Sequence, residues 1–226
     1  MITAASNSRI KRLVQLNQKS KLRRTEDVFL AEGVKMFLEA PREQLQEVYV
    51  SESFLEKCSC REHLEEVGYE VVSDSVFSKI SDTCTPQGVL CVLKQFHYNI
   101  EEMLRDKAPL FLLLENIQDP GNLGTMLRTG EGAGVSGIIM SRDTVDLYNP
   151  KVIRSTMGSI YRVPFYYADD FAAAVHQVQQ AGVSVYAAHL RGKNSYACQD
   201  YTKGTAFLIG NEGNGLREET AELADC

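Results

Sequence analysis

Two short polar stretches hold residue types and spacings that suit ligand binding and its chemistry. In the first, Asn122 follows Asp119-Pro120-Gly121, and Arg128 comes six residues after Asn122. The asparagine amide offers both a donor and an acceptor, and the guanidinium is a permanent cation. Pro120 suits the first turn of a helix, whose free N–H groups can hold an oxyanion. In such a helix Arg128 lies more than a turn beyond Asn122 and on a different azimuth. The two side chains then meet only around a ligand or through the bend of the turn. An arginine beside Met126 and Leu127 is costly to bury without an anion. The competing reading is therefore a structural ion pair with Glu115 or Glu131.

The second stretch is Gly210-Asn211-Glu212-Gly213-Asn214-Gly215-Leu216. Its glycines let the backbone approach a ligand closely, and Asn211 and Glu212 supply hydrogen bonds. It lacks the Lys-Ser/Thr of a P-loop. Gly130, Gly132 and Gly134 are mis-spaced for a dinucleotide fingerprint and fall at a helix end, where Gly134 suits a C-cap.

The flanking sequence must position these turns. Apolar runs at about 110–114, 137–140, 184–188 and 206–209 read as strands. Helical stretches lie between or after them, at about 122–133, 149–157, 169–181 and 215–222. Alternation of this kind predicts an α/β domain with a parallel sheet and right-handed crossovers. The first hundred residues alternate as well. Helices are expected near 6–20, 34–39, 52–67 and 75–80, with strands at Phe29–Gly33, Glu47–Val50, Tyr69–Val72 and Gly88–Leu93. Ser6 or Asn7 can cap the first helix, and Gly68 ends the third. The predicted organisation is a first domain over 1–100, a linker over 101–108 and a second domain over 109–226.

The whole chain carries a net charge of −6, yet Met1 to Arg24 holds seven cations and no acid. Arg9, Lys11, Arg12, Lys21, Arg23 and Arg24 make a basic arm that can take phosphate, or else a solvated helix face. The six cysteines (Cys58, Cys60, Cys84, Cys91, Cys198 and Cys226) show no zinc-ligand spacing. Reduced thiols, no metal and a cytoplasmic location are expected. No signal peptide is seen and no apolar run is long enough to span a bilayer.

Asp119-Pro120-Gly121-Asn122-Leu123-Gly124 with Arg128-Thr129, followed by Leu208-Ile209-Gly210-Asn211-Glu212-Gly213-Asn214-Gly215-Leu216, resembles the first two motifs of the SpoU (TrmH-like) RNA ribose 2′-O-methyltransferases of the SPOUT superfamily. Ile2-Thr3-Ala4 through Lys11, Phe29-Leu30-Ala31-Glu32-Gly33 and Thr85-Pro86-Gln87-Gly88-Val89 are similar to the L30e-like substrate-binding domain that precedes the catalytic domain in many members. The resemblance implies methyl transfer from S-adenosylmethionine to a ribose 2′-hydroxyl of RNA, with ribosomal RNA preferred over transfer RNA. It implies a trefoil-knot catalytic domain and a homodimer. It makes Asn122, Arg128 and Glu212 the catalytic residues and places Ala188 and Gly210 against the cofactor. Asn149, Arg154, Ser155 and Gly158 fall near RNA, with Arg154 the RNA-binding cation among them.

The family's third motif, an apolar strand and a Ser-Leu-Asn turn, has no counterpart after Leu216. The expectation is an incomplete knot, an open cofactor site and weak S-adenosylmethionine binding within these residues. The competing function is a non-catalytic RNA-binding protein that uses the first domain and the basic arm.

Overall fold

The structure is a computed structural model that describes residues 1–192 and 195–226. In chain order the first elements are α1 (Ser8–Gln18), α2 (Ser20–Glu26), β1 (Val28–Glu32), α3 (Val34–Leu38), β2 (Leu45–Ser51), α4 (Glu52–Lys57), α5 (Arg61–Val67), β3 (Glu70–Val72), α6 (Asp74–Ile80) and β4 (Val89–Lys94). Then come α7 (Ile100–Met103), β5 (Leu110–Leu114), α8 (Pro120–Ala133), β6 (Gly137–Ser141), α9 (Pro150–Thr156), β7 (Phe165–Ala168), α10 (Phe171–Gln180), β8 (Ser184–Ala187), β9 (Thr205–Ile209) and α11 (Glu218–Ala221). Among the described residues no helix is long and apolar enough to cross a membrane.

Two compact units result. The first comprises Met1–Phe96 with Asp146–Tyr161, the second His97–Val145 with Arg162–Cys226. Asp146–Tyr161 thus packs with residues far upstream of it, an arrangement that a boundary at 101–108 does not contain. The cause is local packing. Tyr148 stacks at 4.9 Å from Phe29, and its hydroxyl accepts from Phe96 N and donates to Phe96 O. Val152 and Ile153 are fully buried.

In the first unit the sheet order is β1-β4-β2-β3, with β2 and β3 parallel and the other pairs antiparallel. Ile10, Leu13 and Leu16 of α1 fall on one helical face and pack with Val76, Phe77 and Ile80 of α6. Asn7 caps α1 through its side chain. The single helix expected over 52–67 is two, α4 and α5, parted at Cys58-Ser59-Cys60. Cysteine and serine are weak helix formers, and Cys58 is extended at φ −71°, ψ 138°.

Arg23 corrects the reading of the basic arm. Its side chain is 3% exposed, and its guanidinium donates to Leu16 O (2.7 Å), Asn17 O (3.2 Å) and Asp146 Oδ2 (2.6 Å). It ties the end of α1 to the Asp146 segment and is closed to RNA. Arg23→Met would leave those acceptors without their donor. It is expected to destabilise the protein by about 2–3 kcal/mol, measured by denaturant unfolding, with RNA affinity of the folded protein unchanged.

The second unit has a wholly parallel sheet in the order β7-β6-β5-β9-β8. Strand β7 was not among the expected strands. Its Phe165-Tyr166-Tyr167-Ala168 carries the aromatic content of a strand but is short and follows Pro164. Phe111 and Leu113 of β5, Ala206 and Leu208 of β9 and Val185 of β8 face α10 in one apolar core. Asp225 N donates to Val185 O and Ala187 N donates to Cys226 O, so these last residues lie along the outer edge of β8. β5 sits between β6 and β9, where the strand order reverses. The loops leaving the carboxyl ends of β5 and β9 therefore open side by side, the usual place for a ligand in such sheets.

Candidate active site

The turn after β5 is irregular backbone, so its N–H groups need partners supplied from elsewhere. Each of the five has one. Glu115 N donates to Ile209 O at 2.9 Å. Asn116 N donates to Ser141 Oγ at 2.8 Å and Ile117 N to Thr144 Oγ1 at 3.3 Å. Gln118 N donates to Glu212 Oε2 at 3.1 Å and Asp119 N to Glu212 Oε1 at 2.9 Å. Asn116 takes the left-handed conformation, φ 54°, which asparagine tolerates better than most residues. Its carbonyl accepts from the Asn211 side chain at 2.8 Å.

Asp119 caps α8 by accepting from Asn122 N at 2.8 Å, and Pro120 occupies the first turn as expected. Asn122 Nδ2 donates to Glu212 Oε1 at 3.2 Å. With that nitrogen engaged, the Asn122 amide oxygen is left to accept from a ligand. The start of α8 can hold an oxyanion by its sequence, but Asp119 takes its Asn122 N–H, and Glu212 takes the Gln118 and Asp119 amides just before it. Burial pushes the Glu212 carboxyl up. Hydrogen bonds from Asp119 N, Gln118 N, its own amide and Asn122 outweigh that and hold its pKa below the ordinary carboxylate range. Glu212 is thus an ionised anchor and a poor proton acceptor.

The second loop closes on itself. Asn211 and Gly215 exchange two backbone hydrogen bonds, Asn211 N to Gly215 O (3.0 Å) and Gly215 N to Asn211 O (2.9 Å), with Gly215 at φ 70°. A Cβ on Gly210 would lie 2.2 Å from Gly215 C and Leu216 N, so only glycine fits. Gln118, Asp119, Pro120, Asn122, Asn211, Glu212 and Gly213 line one open depression. Ala188 is exposed just past β8, its N donating to Leu208 O at 2.9 Å. Ala188 and Gly210 thus follow the adjacent strands β8 and β9, and Gly210 leads directly into Asn211 of this depression.

Arg128 is exposed on α8, about 9 Å along the axis from Asn122 and roughly 120° round it. The two acids offered as its structural partners are engaged by other arginines. Glu115 bonds Arg217, and Glu131 bonds Arg162. The Arg128 side chain has no hydrogen bond or ion pair among the described residues.

The other sequence-derived cations divide. Arg9 pairs with Glu70 (2.9 Å), Arg12 with Glu26 (2.7 Å) and Glu47 (2.8 Å), and Arg154 with Asp82 (3.2 Å). Lys11, Lys21 and Arg24 are exposed and have no ion-pair partner among the described residues. All six cysteines are free thiols, and among the described residues no cluster of His, Cys, Asp and Glu could hold a metal.

Comparison with known proteins decides what this geometry belongs to. The model of the SpoU rRNA Methylase family matches residues 109–226, and that of the MRM3-like substrate binding domain matches residues 7–91. The chain belongs to the SpoU rRNA methylase family. A similar relative of this SpoU protein is the 23S rRNA (guanosine(2553)-2′-O)-methyltransferase RlmP of Bacillus subtilis (strain 168). It is 31% identical over 99% of this chain and 87% of the relative. An rRNA methyltransferase structure from Sinorhizobium meliloti superposes with a TM-score of 0.85 at 29% identity, covering 99% of this chain and 86% of that one. The AdoMet-bound structure of an rRNA methyltransferase from the same organism gives 0.82 at 29% identity, covering 99% and 85%.

Five further residues shape the site of this SpoU protein and carry no functional signal in its sequence. Gln118 bonds Asn116 Oδ1 and Asp143 O, both at 2.6 Å. Ser141, Asp143 and Thr144 follow β6, and Arg217 follows the second motif. A buried serine and threonine beside an irregular turn look like ordinary loop polarity in sequence. Only the sheet order brings them under Glu115–Asp119.

Proposed function

We propose that this SpoU family member transfers a methyl group from S-adenosylmethionine to a ribose 2′-hydroxyl of ribosomal RNA. The observation that carries the reading is the joining of the two motifs. Glu212 of the second holds the turn and Asn122 of the first, while Arg128 projects beyond them with its charge uncommitted. The residues present fit the cofactor. Asp119 and Glu212 place two carboxylates beside the depression, a field that favours a sulfonium and hydroxyl donors over phosphate. Ala188 and Gly210 bring backbone to the strand ends with little side chain in the way.

When bound, the cofactor supplies an electrophilic methyl group with a neutral thioether as leaving group. The protein must orient the hydroxyl and stabilise charge as its proton leaves. Asn122 is suited to accept from the ribose through its amide oxygen. A guanidinium is a permanent cation, so the role open to Arg128 is to stabilise developing charge on the 2′-oxygen or to hold the neighbouring phosphate, not to act as the base. Since Glu212 is committed to the turn, an RNA phosphate is the better proton acceptor. A homodimer and a cytoplasmic location belong to the same proposal.

Transfer of labelled methyl from S-adenosylmethionine to purified ribosomal RNA tests this directly, and absence of transfer to any RNA would leave only the RNA-binding alternative. Binding itself is expected to run through the free cations. Neutralising Lys11, Lys21 and Arg24 together is expected to flatten the slope of log affinity against log salt by about 2. An unchanged slope in filter-binding titrations would remove the basic arm from the interface.

A further inference from the structure

We propose that Glu115 and Arg217 are positioning residues for methyl transfer, acting by holding the second-motif loop against the first-motif turn. The proposal rests on the function proposed above. Glu115 is 1% exposed, so it touches no substrate. A carboxylate buried that far needs hydrogen-bond partners. It accepts from Arg217 N at 2.8 Å and from Thr220 Oγ1 at 2.6 Å, both more than a hundred residues downstream. The Arg217 guanidinium returns to Glu115 at 3.4 Å and also pairs with Asp143. Burial alone would raise the Asp143 pKa. Hydrogen bonds from Ser141 and Arg217, with the guanidinium charge, outweigh burial and keep it low.

The contacts close a circuit. Ser141 donates to Asp143 and accepts from Asn116 N, so the loops after β5, β6 and β9 are fastened to one another. Glu212 stands five residues before Arg217 and reaches Gln118 and Asp119 only while the β9 loop keeps this place. Asn122 takes its orientation from Glu212 in turn. Displacing catalytic groups by about 1 Å can cost on the order of a hundredfold in rate without weakening binding much. The Arg217 side chain is 48% exposed, so its replacement opens no core cavity.

The test compares Arg217→Met, Arg217→Lys and Glu115→Gln in the full chain by two readouts. One is kcat and KM for ribosomal RNA. The other is hydrogen exchange at the Gln118 and Asp119 amides. For Arg217→Met, kcat is expected to fall about tenfold to a hundredfold with KM for RNA within about threefold. The two amides should exchange at least about tenfold faster. Arg217→Lys, which can still reach one carboxylate, should recover part of both, and Glu115→Gln should resemble Arg217→Met. An unchanged kcat overturns the proposal. So does a fall in kcat with amide exchange unchanged, since Arg217 would then act on the substrate itself. If the wild-type protein transfers no methyl group, faster exchange in Arg217→Met supports the clamp while the proposed reaction fails. Unchanged exchange in that case overturns both.

Discussion

Arg128→Ala is expected to lower the methyl-transfer rate by about 10²–10³-fold, a loss of about 3–4 kcal/mol of transition-state stabilisation. RNA affinity should fall by less than about tenfold. The expectation follows from where the charge sits. Arg128 is exposed on α8, and the acids that could have neutralised it hold Arg217 and Arg162 instead. An uncommitted guanidinium beyond Asn122 can meet charge that develops on the reacting oxygen. Arg128→Lys keeps the charge but loses the planar fork, so an intermediate rate is expected. Because the arginine acts as a cation, Arg128→Lys should leave the pH profile of the rate unshifted. Single-turnover kinetics at saturating RNA check both variants. A near-wild-type rate for Arg128→Ala would remove Arg128 from the machinery.

Gly210→Ala is expected to destabilise the protein by about 2–4 kcal/mol and to weaken S-adenosylmethionine binding more than about tenfold. The added Cβ would meet backbone atoms of Gly215 and Leu216 at 2.2 Å. Those atoms are not free to move. Two hydrogen bonds lock Asn211 to Gly215, and Leu216 is buried in the core with Phe111 and Leu208. The loop would have to open, carrying Glu212 away from Gln118 and Asp119. Gly132→Ala provides the control, because nothing lies within 4 Å of a Cβ there and the site is helical. That change should be neutral or mildly stabilising. Calorimetric titration with the cofactor and denaturant unfolding read the two effects. Wild-type affinity in Gly210→Ala would mean that the loop can take another conformation and still bind.

Much of the fold is legible in the sequence because short-range physics dictates it. The run Leu110–Leu114 has no side chain that a solvated strand would want, and Asp119-Pro120 announces the start of α8. Asn7 and Gly134 mark their helix ends by their own chemistry. What stays hidden is set by pairings across long separations. Arg23 looks the same in sequence as Arg24 beside it. One is buried against Leu16 O and Asp146, and the other faces solvent. Glu115 carries no mark that its partner is Arg217, 102 residues on, and Arg128 was as good a candidate. The motif pattern marks Asn122, Glu212 and Gly210 in the sequence, and Glu212, two residues past Gly210, bonds Asn122 in the structure. The role of Glu212 needed the structure, because an acid between glycines can as well be a base as an anchor. The hydrogen bonds it accepts from Gln118 and Asp119 decide for the anchor.

The central claim is methylation at the ribose 2′-oxygen. The most direct measurement is transfer of labelled methyl from S-adenosylmethionine to ribosomal RNA, followed by alkaline digestion. A 2′-O-methyl group removes the nucleophile that alkali needs for strand cleavage, so the label should be recovered in an alkali-resistant dinucleotide, and Arg128→Ala should slow its appearance by about 10²–10³-fold. Label recovered in base-methylated mononucleotides, or no label in RNA at all, would contradict the account.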